Sequence, residues 1–407
     1  ENLPNWSQLM YDENPDAGEV IKAYTNYHQR NKLVKNKHTQ YYKRWLRGIS
    51  RFSDAKTNTT SSKSSNQWEC VGPWDFDKDA ASRSYAPGAA HVYTVEQSVS
   101  NPNILYAGSA TAGAWKTIDK GDNWNLITQD LHLNGVYAIE IDFTNSEIIY
   151  ISGNGGIYKS INSGSSWNII GDAAFTSMSH SVKDIKLDPA INLELFVASD
   201  EGLFKSIDGG NNFTQIMNGN FLEIEFHPNN PNTMYFVKQA GDSTLFYRSD
   251  DGGNTLTNFT NGWPNPNSVG GEQKRTEIAV SPASPDKIVA LATGSANGGS
   301  GLYGIYISDD KGENWTFQCC GPQPAGVPSA TNINMMGWQP DGSDDGGQYY
   351  YDLGLAVNPT NADIIHVGGV QHWISFDNGV SFTCPAKWSE PHKKGYVHAD
   401  IHDINYF

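Results

Sequence analysis

Short runs in which apolar and polar residues alternate recur along most of the chain. Four of them end in proline: "DIKLDP" (184–189), "EIEFHP" (223–228), "EIAVSP" (277–282) and "LGLAVNP" (353–359). Each is followed by two further apolar segments, as in "LFVASDEGLFK" (195–205). A period of two is that of a strand with one buried face. The pattern therefore predicts many short strands separated by turns.

A polar box of eight residues follows each pair of apolar segments. The six copies are "TIDKGDNW", "SINSGSSW", "SIDGGNNF", "SDDGGNTL", "SDDKGENW" and "SFDNGVSF". Their acidic or amide positions are Asp119, Asn162, Asp208, Asp251, Asp310 and Asp377, spaced by 43, 46, 43, 59 and 67 residues. One unit is thus strand, turn, strand, turn, strand, box, strand. Four strands in about 43 residues predict one blade of a β-propeller.

The box has a mechanical explanation that competes with a role as a ligand loop. Its carboxylate can accept backbone N–H groups of its own turn, with support from the Ser or Thr hydroxyl. The glycine supplies a positive φ, and the terminal aromatic residue can wedge between neighbouring sheets. We therefore interpret the six boxes as scaffold, and we look for function elsewhere.

These boxes resemble the Asp-box, or bacterial neuraminidase, repeat of sortilin-type propellers, sialidases and xyloglucanase-type glycoside hydrolases. The resemblance implies an all-β protein with a propeller over residues 68–407 and at least six blades. It implies fold rather than function, because these groups share the box and differ in chemistry. We expect "WECVGPWDF" (68–76) to be an outer strand and "HADIHDINYF" (398–407) an inner strand. The ring is then incomplete within this chain, as in part of a longer protein.

Residues 1–67 have a different character and are predicted to be a short helical, basic arm followed by a polar linker. "DAGEVIKAYTNYHQRNKL" places Val20, Tyr24 and Tyr27 on one helical face, and "YYKRWL" places Tyr42 and Trp45 likewise. Residues 1–65 carry eleven Lys and Arg against six Asp and Glu, whereas the rest carries 17 against 38. This arm would contact an anionic surface or a partner, or fold onto the acidic body.

The arm, the boxes and "YYYDLGLAVNPTNADIIHVGGVQHWIS" together resemble secreted surface proteins of the Bacteroidetes that the type IX secretion system exports. The resemblance implies a secreted or cell-surface location with the signal peptide already removed. It also implies the secretion machinery as a partner, and a binding or adhesion role toward a surface glycan or protein. The sequence has no run of about 18 apolar residues, so it predicts no transmembrane segment. A net charge of −16 argues against nucleic acid as a partner.

The inner strands carry a set of acidic candidates. The fifth residue before each strand-ending proline, or its equivalent, is Gln97, Glu140, Asp184, Glu223, Glu277, Gly354 and, at the end of the chain, Asp403. Asp184, Glu223, Glu277 and Asp403 are the candidate acid and base of a glycoside hydrolase, which is the alternative function. A repeated polar residue that satisfies backbone groups is the competing interpretation, since no pair stands apart from its repeats.

Two segments have the spacing of metal ligands. His398, Asp400 and His402 share one face of a strand and suit zinc. "DGSDDGGQYYYD" places Asp341, Ser343, Asp345 and Asp352 at positions 1, 3, 5 and 12 of a calcium loop. The alternatives are channel-lining polar residues and an ordinary solvated loop. The sequence predicts no obligatory cofactor, and calcium at this loop is the alternative.

Other chemistries find little support. A sialidase needs an arginine cluster, and beyond residue 65 the chain has Arg83, Arg248 and Arg275 alone. Adjacent Cys319 and Cys320 are not expected to pair with each other, so one would reach Cys384 or all would stay isolated thiols.

Overall fold

The computed structural model describes residues 3–12, 15–32, 34, 36, 38–39, 41–43, 45, 91–131, 133, 135–153, 156–171, 181–390 and 397–406. The chain forms two compact units, Glu1–Ala89 and Ala90–Phe407. No helix among these residues has both the length and the apolar character needed to cross a membrane. The predicted strand at 68–76 and the predicted linker lie outside the described residues.

The first unit is built on two helices, α1 (Asn5–Met10) and α2 (Ala17–His28). The Asp16 carboxylate caps α2 by accepting the Glu19 N–H at 2.8 Å, as expected of an N-cap aspartate. Its core consists of Trp6, Met10, Val20 and Tyr42. Tyr27, which the sequence pattern places on the same helical face as Val20 and Tyr24, is 38% exposed, whereas the Tyr24 ring meets Trp6 edge to face at 4.9 Å.

The described residues of the second unit form 24 strands. The first three sheets consist of β1 (Val92–Gln97), β2 (Leu105–Ser109), β3 (Ala114–Thr117) and β4 (Asn125–Leu126); β5 (Ile139–Ile141), β6 (Ile149–Gly153), β7 (Gly156–Ser160) and β8 (Asn168–Ile170); β9 (Val182–Leu187), β10 (Leu195–Ser199), β11 (Gly202–Ser206) and β12 (Thr214–Asn218). The last three consist of β13 (Phe221–Phe226), β14 (Met234–Ala240), β15 (Ser243–Ser249) and β16 (Thr257–Phe259); β17 (Gly271–Val280), β18 (Ile288–Ala296), β19 (Gly299–Ser308) and β20 (Thr316–Cys319); β21 (Gly354–Val357), β22 (Ile365–Gly368), β23 (His372–Ser375) and β24 (Thr383–Ala386).

Each sheet is an antiparallel meander of four consecutive strands, which confirms the predicted all-β propeller and gives it six blades. The second strands are the most buried: β10 is buried at all five positions, and so is β2. Hydrophobic clusters fill the spaces between consecutive blades, so that Leu195 and Val197 of β10 share one cluster with Tyr150 of β6. The core is therefore a series of interfaces between sheets.

The meander divides the connections between two faces. The links from the first to the second strand and from the third to the fourth strand lie at one end of each sheet. All six boxes connect third and fourth strands, and we call this end the box face. The links between blades lie at the other end, the loop face, which includes residues 320–353 between β20 and β21.

The six boxes adopt one hydrogen-bonding pattern. In each, the Ser or Thr hydroxyl donates to the Asp or Asn side chain two residues on, at 2.7–3.0 Å. The same side-chain oxygen accepts the backbone N–H four residues further on at 2.8–2.9 Å. These bonds lower the pKa of Asp119 and Asp208 to about 2. Each box aspartate is thus engaged by its own turn.

The boxes also contact the preceding blade. Gly253 has a φ of +78°, and a Cβ atom on it would lie 2.5 Å from the Phe196 ring of β10. Lysines just before a box reach the next blade: Lys159 Nζ donates to the Gly209 carbonyl at 3.0 Å, and Lys205 Nζ to the Gly252 carbonyl at 2.8 Å. The box is therefore both a turn and an interface between blades.

Replacing Ser206 by alanine is expected to lower the free energy of unfolding by about 1–2 kcal/mol. The buried hydroxyl donates to Asp208 and accepts the Gly210 N–H at 2.9 Å, and alanine leaves this N–H unpaired. Urea unfolding of the full chain measures the effect. Ser165→Ala removes an exposed box hydroxyl and is the control, expected within about 0.5 kcal/mol of the wild type. Equal losses in the two variants would contradict the proposed role.

The cysteines pair differently from the prediction. Cys319 and Cys320 form a disulfide with each other across a cis peptide bond, with their Cα atoms 3.0 Å apart. Cys384 is the free thiol among the described residues. The expectation that adjacent cysteines do not pair with each other is therefore wrong here.

Candidate functional site

The first strands of the six sheets line a central channel. Together with residues 402–405 they surround a cavity of about 200 Å³. Segment 397–406 lies beside β1, where the Asn405 amide donates to the Val95 carbonyl at 2.9 Å. On its other side the Ile401 N–H donates to the Gly369 carbonyl at 2.9 Å. The segment therefore occupies an inner position between the first and sixth blades.

The register of the first strands defines two layers of channel side chains. Asp184, Glu223 and Glu277 pair across the sheet with Ala198, Val237 and Leu291, the equivalent positions of three second strands. Two residues further along lie Glu96, Glu140, Lys186 and Glu225, which pair with Tyr106, Tyr150, Phe196 and Tyr235. We call these sets the upper and the lower layer.

Counting back from the strand-ending proline assigned two residues to the wrong position on their strands. Glu140 lies in the lower layer, and Gln97 lies in neither layer, since its amide donates to the Pro102 carbonyl at 2.8 Å. The first strands of blades one and two do not end in a proline. The five residues were therefore counted back from a position too far into the following turn. The lower layer itself was missed, although the period of two would have placed Glu225 and Lys186 on the same face as Glu223 and Asp184.

Most of the candidate catalytic carboxylates bond to the backbone of a neighbouring inner strand. Asp184 accepts the Ile224 N–H at 3.0 Å, and Glu223 accepts the Ile278 N–H at 2.8 Å. Asp403 accepts the Val95 N–H at 2.9 Å, and in the lower layer Glu140 accepts the Leu187 N–H at 2.9 Å. Each bond links one blade to the next around the ring. We call these contacts the inter-blade carboxylate bonds.

The remaining upper-layer candidate, Glu277, has a different partner. Arg275, two residues earlier on β17, donates to its carboxylate at 2.5 Å and also to the Tyr351 carbonyl at 2.9 Å. Glu277 is therefore half of an ion pair that joins β17 to the loop before β21.

Burial dominates the electrostatics of the channel. It raises the pKa of Glu96, Glu225 and Glu277 to about 7, and that of Glu140 and Glu223 well above the usual range. Asp184 and three glutamates in turn raise the pKa of Lys186 well above its ordinary value. Burial also raises the pKa of Asp403. Since six channel carboxyl groups shift in the same direction, the pKa distinguishes none of them as the acid of an acid–base pair.

Aromatic side chains surround the mouth of the channel on the loop face. The rings of Tyr93 and Tyr137 stack at 4.7 Å, and Tyr137 is 50% exposed. His402 meets Tyr93 and Tyr351 edge to face at 4.6 and 4.7 Å, and the His91 imidazole bonds to the Tyr351 hydroxyl at 2.8 Å. The mouth thus presents aromatic faces above a ring of carboxyl groups.

The predicted zinc ligands do not share one face. Segment 397–406 contains no regular strand, and Asp400 has a φ of +72°, which breaks the alternation on which the prediction rested. His398 bonds to the adjacent Ala399 carbonyl, and Asp400 accepts the Gln348 amide at 2.5 Å. His402 lies in the aromatic mouth, where burial lowers its pKa to about 4.

The predicted calcium ligands are similarly divided. Asp341 accepts the Ser343 N–H at 3.0 Å, and Asp345 accepts the Ser300 N–H at 2.6 Å. Asp352 is 1% exposed, and burial raises its pKa to about 7. Among the residues that the structure describes, no group of three or more His, Cys, Asp or Glu is arranged to hold a metal ion.

Comparison with known proteins supports the fold. No family model and no curated protein matches the chain. Among solved structures it is similar to the GH74 xyloglucanase from Xanthomonas campestris, with a TM-score of 0.53 and 17% identity over 73% of this chain and 45% of that chain. An ancestral GH74 enzyme has a TM-score of 0.51 and 19% identity over 72% of this chain and 38% of that chain. YCF48 bound to D1 peptide has a TM-score of 0.48 and 15% identity over 74% and 83% of the two chains.

These similarities show a propeller fold that GH74 enzymes share. The chain spans less than half the length of either GH74 protein, 45% and 38%. At identities of 17% and 19% the likeness concerns the fold and does not extend to chemistry.

Proposed function

We propose that this chain is a binding module whose ligand meets the loop face of the propeller, and that it does not hydrolyse that ligand. The inter-blade carboxylate bonds carry the proposal. A glycosidase needs two carboxyl groups that face one cleft and are free to exchange protons with the substrate. Asp184, Glu223 and Asp403 instead accept hydrogen bonds from the backbone of neighbouring strands. Their role is therefore to connect the blades of the propeller.

We further propose that the module acts in adhesion at the cell surface after export by the type IX secretion system. The resemblance of the N-terminal arm and of residues 349–375 to secreted Bacteroidetes proteins supports this location and this partner. The ligand is a surface glycan or a surface protein. Calcium at the loop 341–352 stays a prediction, and binding at the loop face does not require it.

A xyloglucanase-type glycoside hydrolase is the second candidate. The similarity of the fold to GH74 enzymes favours it, and Glu277 with Arg275 is the upper-layer carboxylate that bonds to a side chain and not to a neighbouring strand. A hydrolase would use Glu277 together with Asp184, Glu223 or Asp403 across the channel.

Incubation with xyloglucan is expected to release no reducing ends above the background without protein, because the channel carboxylates are engaged. A reducing-sugar assay measures the release, with a GH74 xyloglucanase as positive control. Turnover that Asp184→Asn or Glu277→Gln abolishes would establish the hydrolase and overturn the binding proposal. Turnover that both variants retain would also overturn it, and would exclude Asp184 and Glu277 as the catalytic groups.

A further inference from the structure

Two tryptophans protrude together from the loop face. Trp338 lies in the loop between β20 and β21, and Trp388 follows β24 at the end of the sixth blade. They are 40% and 37% exposed, and their rings meet edge to face at 5.8 Å. We call this pair the tryptophan ledge. Large apolar side chains that are exposed next to each other are typical of surfaces that bind a ligand or a partner protein.

Hydrogen bonds hold the ledge in one arrangement. The Trp388 indole N–H donates to the Trp338 carbonyl at 3.0 Å, and the Gln371 amide donates to the same carbonyl at 3.3 Å. The Asp344 carboxylate accepts the Trp338 N–H at 2.7 Å and the Gln339 N–H at 3.1 Å. A ligand therefore finds a surface that is already ordered, which reduces the entropy lost on binding.

The loop beneath the ledge is anchored to the core. Asn334 is 3% exposed, and its amide donates to the carbonyls of Asp344 and Gly346 at 2.9 and 3.0 Å. Met335 and Met336 are buried in the cluster between the fifth and sixth blades. Because backbone and core contacts fix this loop, the two rings keep their exposure without needing a partner to order them.

The chemistry of the ledge fits a neutral sugar. Perpendicular indole rings offer one face for stacking and one edge as a wall, and the Trp338 Nε1–H has no hydrogen-bond acceptor among the described residues. A pyranose presents an apolar C–H face and hydroxyl groups, which match a ring face and a free donor.

Charge argues against an anionic ligand. The nearest cation in the sequence, Lys387, pairs with Glu390 at 3.9 Å. The chain as a whole carries a net charge of −16, which repels polyanions. Two rings also offer far less area than the roughly 800 Å² per partner of a stable protein interface. A neutral oligosaccharide is therefore favoured over an acidic glycan and over a protein.

We propose that the tryptophan ledge is a binding platform for neutral polysaccharide, with Trp338 and Trp388 as its contact residues. The inference rests on the proposed binding function and names the class of its ligand. It places the ligand at the edge of the loop face, over the sixth blade, and not in the channel.

Native affinity electrophoresis of the full chain tests the ledge, with xyloglucan, mixed-linkage β-glucan or the acidic polygalacturonate cast in the gel. Neutral polysaccharide is expected to retard the wild type, and Trp338→Ala or Trp388→Ala is expected to weaken binding at least tenfold. Trp338→Phe keeps a ring and loses the donor, so an intermediate loss is expected. Circular dichroism melting confirms that each variant is folded.

Trp124→Ala is the matched control, since Trp124 is equally exposed at 37% but belongs to a box on the opposite face. Its retardation is expected to equal that of the wild type. The ledge would be overturned by unchanged binding in both ledge variants, by an equal loss in Trp124→Ala, or by stronger retardation in polygalacturonate. Failure of both neutral polysaccharides to retard the wild type would overturn it too, and would leave a protein-binding function in place. Hydrolysis of xyloglucan by the protein would overturn the proposed binding function, but it would not contradict the proposal that the tryptophan ledge binds neutral polysaccharide.

Discussion

Replacing Gly312 with alanine is expected to lower the free energy of unfolding by about 2–5 kcal/mol. Gly312 belongs to the fifth box and has a φ of +83°. A Cβ atom there would overlap the ring of Phe246 in the fourth blade. Phe246 is fully buried and packs against Trp263 and Trp315 at 5.3 and 5.0 Å. The ring therefore has little room to move aside.

A second glycine separates the two contributions to this loss. Gly270 has a φ of +67°, and a Cβ atom there would meet no atom within 4 Å. Gly270→Ala is therefore expected to show the backbone cost alone, about 1–2 kcal/mol. Urea unfolding of both variants measures the difference. If Gly312→Ala lost no more stability than Gly270→Ala, the box glycine would not be a contact between blades.

The second large effect concerns the channel. Glu225→Gln is expected to stabilise the propeller by up to about 3 kcal/mol at pH 8. Burial raises the pKa of Glu225 to about 7 from an ordinary 4.5, so ionising it above pH 7 costs the folded state free energy. Glutamine has nearly the same shape and removes that charge. Lys186 keeps Asp184, Glu140 and Glu96 as neighbouring carboxyl groups.

The sign of the effect follows from linkage. A carboxyl group whose folded pKa is raised stabilises the fold below its unfolded pKa, and this contribution is lost as pH rises toward 7. The gain from Glu225→Gln is therefore expected to be large at pH 8 and small at pH 5. Urea unfolding at the two pH values tests this, with the exposed Glu201→Gln as control. An equal gain at both values, or a loss at pH 8, would contradict it.

The box aspartates have the opposite dependence. The pKa of Asp208 falls to about 2 from 3.8 because its own turn hydrogen-bonds to the charged form. The contribution of Asp208 to the stability of the fold is present above pH 3.8 and is lost as pH falls toward 2. Channel and boxes together therefore favour the folded state most strongly in mildly acidic solution.

The sequence predicts the blades well because the information is local and repeated. A box such as 206–213 contains its own hydrogen-bond partners within eight residues, and each short alternating strand reports one buried face. The same locality explains two failures. The register of β5 depends on where a turn without proline begins, and the pairing of Cys319 with Cys320 leaves no trace in the alternation of apolar and polar residues.

The candidate site is predicted less completely because it is assembled from distant residues. The sequence identifies Asp184 and Glu223 as channel residues, but it does not show that each bonds to a neighbouring strand. Trp338 and Trp388 belong to no motif and lie 50 residues apart. Nothing in the hydrophobic pattern distinguishes them from buried tryptophans, and their exposure becomes visible only in the folded loop.

The inter-blade carboxylate bonds have a consequence for the order of folding. Those within the ring join residues 40 to 55 positions apart, whereas Asp403 and Val95 are separated by 308 positions. Closing the longer loop costs about 1–2 kcal/mol more chain entropy, and distant contacts form slowly. We therefore expect neighbouring blades to dock in succession and the contact between Asp403 and Val95 to form last, so that strand order along the chain becomes an order of events in time.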